Sequence, residues 1–232
     1  MMRATTGQTE RETFLRSVEA HVVPVTPLMQ NCTLFLCRET KQAVIVDPGG
    51  DVSLIIEALE RTGAEPVAIW LTHGHFDHAG GAPALKRQLD VPILGPHAND
   101  AWLTTSITEQ ERTFGVFVNG EDFEPDRWLK DGEVLSFGRV RFTVRHCPGH
   151  TPGHVLFINE ADRIGQFGDV LFAGSIGRTD FPRGDHELLL ENIARIILPL
   201  PDDFLFIPGH GPASTVGEER RSNPFLQGLS TG

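Results

Sequence analysis

Tyrosine is absent from the 232 residues, so no site in this chain can use a phenol. Cysteine is scarce. Cys32, Cys37 and Cys147 form no paired framework, which excludes a disulfide scaffold and suits a reducing, cytoplasmic setting. No C-x-x-C pair exists to hold zinc, and Cys32 and Cys37 fall in an apolar, strand-like run where thiols act as small core fillers. Basic residues are outnumbered, 20 Lys and Arg against 31 Asp and Glu, for a net charge of −11. That balance excludes nucleic acid or an anionic membrane surface as the main partner. Long apolar runs are missing too. None approaches a membrane-spanning helix, and residues 1–17 lack the apolar segment of a secretory signal.

What is present is ordinary for a globular protein, with 40% apolar and 22% charged residues. Residues 1–18 read as a polar N-terminal tail, and 19–232 as a single domain without linker or low-complexity run. Short β-branched runs predict strands over 21–25, 32–36, 43–47, 67–71, 92–94, 155–158, 164–167 and 204–207, and a strand pair over 132–144 with its turn at Gly138-Arg139. Helical spacing marks 51–61, 83–89 and 188–198. Residues 97–126 read as loop and short helix, and the last 20 as mostly polar with a docking point at Pro224, Phe225 and Leu226. Strands and helices interspersed throughout imply a mixed α/β fold.

One stretch dominates. Thr72-His73-Gly74-His75-Phe76-Asp77-His78 follows the strand at 67–71 and packs three imidazoles and a carboxylate into six residues. These donors suit divalent zinc, iron or manganese. Random placement in this composition would yield H-x-H-x-D-H in about one chain in a thousand. His73 and His75 are two apart and can face one point from an extended segment. Asp77 and His78, after a bend, face a second. Four groups cannot fill two coordination spheres, so further ligands must come from elsewhere. Three later positions offer them: His150 in CPGHTPGH (147–154), Asp169 in FGDV (167–170) and His210 in IPGHGP (207–212). Singly, each reads first as a turn residue; with the six-residue motif they complete two metal spheres.

These segments together resemble the metallo-β-lactamase fold, and within it the short, single-domain bacterial hydrolases similar to glyoxalase II (hydroxyacylglutathione hydrolase), from about residue 21 to 226. The resemblance implies a four-layer αβ/βα sandwich of two mixed β-sheets with helices outside. It implies that His73, His75 and His150 hold one metal, that Asp77, His78 and His210 hold another, and that Asp169 bridges them. Asp47, in the DPGG turn, matches a position that orients a ligand or packs the turn. His146 and His154 read as structural, and His21, His97 and His186 as surface or packing residues.

Two adjacent dications, zinc first among the choices, bring a water between them to hydroxide near neutral pH. Asp77 helps to hold that water. A thioester suits such a site because its thiolate leaves without a general acid. The expected reaction is therefore hydrolysis of acylated glutathione-type thiols, S-D-lactoylglutathione giving D-lactate and glutathione. His75 stands where related redox proteins carry a carboxylate, and the tyrosine of related lactonases is missing. Arg178, in the loop 174–181, aligns with a basic residue that touches glutathione in the larger enzymes. It reads equally as a substrate contact or as an arginine paired with Asp180. Arg183 is a second, weaker substrate contact. Only 22 residues follow His210, so the helical domain that supplies much of the glutathione site in those enzymes has no counterpart. The competing reading is a mononuclear iron persulfide dioxygenase of the same fold, suggested by GRTDF at 177–181; PGHGP at 208–212 speaks for the hydrolase. A non-catalytic metal-binding scaffold is the third reading.

Overall fold

Strand β3 (Gln42–Val46), which follows β1 (Val18–Val25) and β2 (Gln30–Cys37), shows why the chain stacks in layers. Ala43 and Ile45 point to one face, Val44 and Val46 to the other, and all four are fully buried. A strand that is apolar on both faces must be covered twice. The computed structural model, which describes residues 17–229, supplies both covers.

The first half continues through α1 (Val52–Thr62), β4 (Glu65–Trp70), the one-turn α2 (Phe76–Ala79), α3 (Ala82–Leu89), β5 (Ile93–His97), α4 (Ala101–Thr104), α5 (Ile107–Phe114) and β6 (Arg127–Leu129). Its six strands form one sheet in sequence order. The first three are antiparallel, and β4, β5 and β6 add in parallel. Parallel neighbours need crossovers, which α1, α3 and α5 provide. Their apolar faces, including Ile55, Leu59, Leu85 and Ile107, pack on Leu34, Ile45 and Ile69 as the first core layer.

The second half supplies β7 (Val134–Phe137), β8 (Val140–His146), β9 (Val155–Asn159), β10 (Ile164–Gly168), the small hairpin β11 (Leu171–Phe172) and β12 (Ser175–Ile176), and α6 (His186–Asn192) running into a π-helical stretch (Ile193–Ile197). β13 (Leu205–Pro208), β14 (Ser214–Thr215) and α7 (Val216–Ser222) follow. The second sheet has the order β14-β13-β10-β9-β8-β7, with the β10–β13 pair parallel and the others antiparallel. The two sheets face each other across a core centred on Trp70, whose ring lies 5.1 Å from Phe157 and 5.7 Å from both Phe137 and Phe142. A third layer, with Phe167, Phe204 and Phe206 against Leu189, Ile193 and Ile197, joins the second sheet to its helices. The result is helix, sheet, sheet, helix, as the resemblance implied.

Most of the expected tail, residues 1–16, lies outside the described residues. Ser17 and Val18 do not: Val18 opens β1, and the Ser17 amide donates to Asp162 Oδ1 at 2.7 Å. The expected helix at 188–198 starts earlier, at His186, because Asp185 accepts from the Leu188 amide and caps it. The polar C-terminal stretch contains α7, which the sequence reading passed over.

Candidate metal centre

Each ligand-type residue sits where a strand gives way to a loop at the same rim of the two sheets. β4 delivers His73 and His75, and α2 turns the chain so that Asp77 and His78 fall in one helical turn. The second sheet delivers His150 between β8 and β9, Asp169 after β10 and His210 after β13. Backbone must come very close here. A Cβ on Gly209 would lie 2.0 Å from Asp169 Oδ1, and one on Gly49 would lie 1.5 Å from the Asp77 carbonyl oxygen. Only glycine fits at either position.

All seven predicted donors converge. His73 Nε2 and His150 Nε2 lie 3.0 and 3.1 Å from His75 Nδ1. His210 Nε2 lies 3.2 Å from Asp77 Oδ2, and His78 Nε2 lies 3.8 Å from the same oxygen. Asp169 stands between the groups, with Oδ1 3.3 Å from His78 Nε2 and Oδ2 3.7 and 3.8 Å from His150 Nε2 and His210 Nε2. Two triads, His73–His75–His150 and Asp77–His78–His210, each bring their ligand atoms within 4.8 Å of one another.

The far side of each ring sets its tautomer. His150 Nδ1 donates to the Arg178 carbonyl at 2.7 Å, and His210 Nδ1 to that of Leu28 at 3.2 Å. His78 Nδ1 donates to Asp47 Oδ2 at 3.1 Å. His73 Nδ1 donates to Thr72 Oγ1 at 3.0 Å, and that hydroxyl donates to Asp47 Oδ2 at 2.6 Å. In all four it is Nε2 that is left to face the centre. Asp47 also accepts from the Thr72 amide at 2.7 Å. Its carboxylate is thus spent on orienting His78 and His73, although it lies close enough to form a third donor triad with them. It keeps a left-handed φ of 53°, which these bonds hold in place.

Burial, reinforced by neighbouring imidazoles, pulls His73 and His150 below the usual histidine range and His75 down to about 3. The first triad is therefore neutral, the form that ligates. The second triad carries the Asp77 carboxylate and faces that of Asp169. Burial pushes Asp77 and Asp169 up, but His78 and its neighbours outweigh it and hold both below the ordinary range. Burial lowers His78 and His210, and the facing carboxylates overcome it and raise both. His78 Nε2 and Asp169 Oδ1 are buried without a hydrogen-bond partner of proper geometry. Three imidazole nitrogens packed at 3.0–3.1 Å and an orphaned nitrogen–oxygen pair are what divalent cations would satisfy. The donor set fits metal.

Other predicted residues separate. Arg178 lines the cleft above the centre and forks onto Asp180 through bonds of 2.7 and 2.6 Å. Arg183 does not line this cleft; its guanidinium lies 4.6 Å over the Trp102 ring. His154 is structural, stacked on His73 at 4.7 Å and accepting the Asp169 amide at 3.1 Å. His146 stacks on His97 at 4.2 Å.

Sequence reasoning missed two supports. Asp100, fully buried, accepts from the Gly74 and Gly153 amides at 3.1 and 2.6 Å and from Thr151 Oγ1 at 2.7 Å. It ties the loop of His73 and His75 to the loop of His150. Gln110 accepts from the Phe76 amide at 3.1 Å and donates to the Leu103 carbonyl at 2.8 Å. Both lie in the polar stretch 97–126, where no short motif marks them.

The centre floors a cleft of about 500 Å³ whose walls include Leu28, Phe114, Phe172 and Phe181. Comparison with known proteins agrees with this geometry. The profile of the metallo-beta-lactamase superfamily matches residues 25–210. Hydroxyacylglutathione hydrolase GloC of Haemophilus influenzae is 45% identical over 210 residues, 90% of this chain and 98% of that one. The crystal structure of BLEG-1 B3 metallo-beta-lactamase superposes with a TM-score of 0.83 at 38% identity, covering 90% of this chain and 100% of that one. That of TTHA1623 in a di-iron-bound form gives 0.79 at 39%, covering 88% and 100%. The layer order, the convergent donors and these matches place the chain in the metallo-β-lactamase superfamily.

Proposed function

We propose that this chain is a dinuclear metal-dependent thioester hydrolase that cleaves acylated glutathione-type thiols, in the manner of S-D-lactoylglutathione to D-lactate and glutathione. The observation that carries this reading is the position of Asp169, whose oxygens lie 3.3 Å from His78 Nε2, 3.7 Å from His150 Nε2 and 3.8 Å from His210 Nε2, beside two donor triads at the floor of one cleft. His73, His75 and His150 would hold one cation, Asp77, His78 and His210 a second, and Asp169 would reach both. Zinc suits this mixed imidazole and carboxylate set, and iron or manganese would be accepted. When bound, such a pair supplies Lewis acidity, making water a nucleophile near neutral pH and polarising a carbonyl.

The chain's own groups do the rest. Asp77 opens on the cleft as an ionised acceptor that positions the attacking water. The Asp47–Thr72–His73 relay and the Asp47–His78 bond keep the imidazoles aimed. Water adds to the thioester carbon, the C–S bond breaks, and the thiolate leaves with the electron pair. A parent thiol pKa of about 8–9 lets it go without a protonating residue. The similarity to the Haemophilus influenzae hydrolase supports the substrate class. A single-iron dioxygenase would leave the Asp77–His78–His210 triad without a role.

The test offers metal-loaded protein S-D-lactoylglutathione, and separately glutathione persulfide with oxygen. Thiol release without oxygen uptake, with about two equivalents of divalent metal per chain, is expected. Oxygen uptake on the persulfide with one iron per chain would overturn the reading.

A further inference from the structure

The cleft has flanks of one chemical kind. Phe76 and Phe114 stack at 5.7 Å, and Phe114 meets Phe181 edge-on at 5.6 Å. Phe181 in turn lies 5.2 Å from the His75 ring and 6.1 Å from that of His150. An unbroken aromatic path therefore runs from solvent, where Phe114 is 46% exposed, down to the first triad. On the opposite flank Phe172 stands 6.5 Å from the His210 ring, beside Leu28. Beyond the clustered donors, the polar side chains that line the cleft among the described residues are Ser175 and Arg178. The Arg178 guanidinium is already forked onto Asp180 and lies 4.1 Å over the Phe181 ring. Ser175 Oγ sits at the hydrogen-bond limit, 3.5 Å from the Ile176 carbonyl oxygen.

A carbonyl seated between the two triads sends one arm along each flank. Both flanks are apolar next to the centre, so the acyl arm meets phenyl or leucine surface whichever way the substrate lies. An aryl or branched alkyl group gains by leaving water there. A hydroxyl on the carbon beside the carbonyl gains no hydrogen bond from the phenyl walls and is partnered only by turning away from them, towards Ser175 or Arg178.

We propose that the cleft selects its substrate by the acyl arm, taking thioesters with apolar acyl groups, aryl or branched alkyl, ahead of 2-hydroxyacyl ones. The acyl arm lies along the Phe114–Phe181 flank, which makes these two the specificity-determining residues. This deepens the thioesterase reading and rests on it.

The test holds the thiol constant. S-phenylacetylglutathione and S-D-lactoylglutathione are compared by kcat/KM on the metal-loaded full chain, in the wild type, in Phe114→Ser, and in Phe114→Ser combined with Phe181→Ala. The half-exposed Phe114 can be replaced without disturbing a core layer, and circular dichroism checks the double variant. The wild type should favour the aryl substrate about tenfold or more, in line with what an apolar pocket contributes to discrimination. The ratio should fall in Phe114→Ser and approach one in the double variant. A wild type that favours the lactoyl thioester or shows no preference, or a ratio that survives both replacements in a folded protein, overturns the inference and leaves the thioesterase reading intact. Failure to hydrolyse either thioester overturns that reading and this one with it.

Discussion

Asp47 holds an unfavourable backbone conformation and three hydrogen bonds, and both serve His73 and His78. Removing the partners that orient ligands typically costs 10–100-fold in metal affinity. Asp47→Asn should weaken metal binding by about that factor, read by competition with a chromogenic chelator, while far-ultraviolet circular dichroism stays native. Asp100 acts on loops rather than rings. Burial pushes its carboxyl up to about 6 against the pull of Thr151, Gly153 and Gly74, whereas an unfolded aspartate titrates near about 3.9. Between those values the folded chain binds the extra proton, so this residue's contribution to stability is complete below the lower pKa and is lost as pH rises through the upper one. Asp100→Ala should cost about 1–3 kcal/mol from unpaired buried amides. Urea unfolding of the metal-free protein should show a larger deficit near pH 4.5 than near pH 7. The histidine motif announced its residues because metal chemistry demands rare types at short spacing. Asp100 is a lone carboxylate whose three partners lie 26 to 53 residues away, a separation that leaves no local pattern.

Among the elements, α7 shows how a short helix can govern a site it does not touch. Glu219, 2% exposed, accepts from the Gly174 amide at 2.8 Å and Asn223 Nδ2 at 2.9 Å, and also from the Ser214 hydroxyl. It therefore pins the turn of the β11–β12 hairpin, which carries Phe172 and Ile176 into the cleft wall. Glu219→Ala should lower stability by about 1–3 kcal/mol and raise KM more than it lowers kcat, measured by steady-state thioester kinetics. A signal for α7 was present in the sequence. Thr215 and Glu218 stand in capping-box spacing, and the Glu218 amide donates to Thr215 Oγ1 at 3.3 Å. Seven mostly charged residues gave no apolar stripe to draw attention to it. The longer strands and helices were legible because alternation and helical spacing follow directly from which faces are covered. Their pairing across β10 and β13 was not, since it joins segments separated by α6.

For the molecule as a whole, ligands that bind only the folded chain raise its stability by mass action, about 2.7 kcal/mol at a hundredfold excess over Kd. Stripping metal with a chelator should lower the melting temperature, and adding zinc back should restore it. Asp169→Ala should keep the fold but lose both turnover and most of that thermal gain, monitored by differential scanning fluorimetry alongside thiol release. Full activity in that variant would remove Asp169 from the shared position. The layered architecture followed from strands buried on both faces, but composition could not say which loops would meet. The meeting point has a mechanical corollary. His73, His75, Asp77 and His78 hang from one half of the sandwich, and His150, Asp169 and His210 from the other. Ions seated among them would act as a clasp across the seam. A cell short of metal would then hold a protein both idle and easier to prise open and digest.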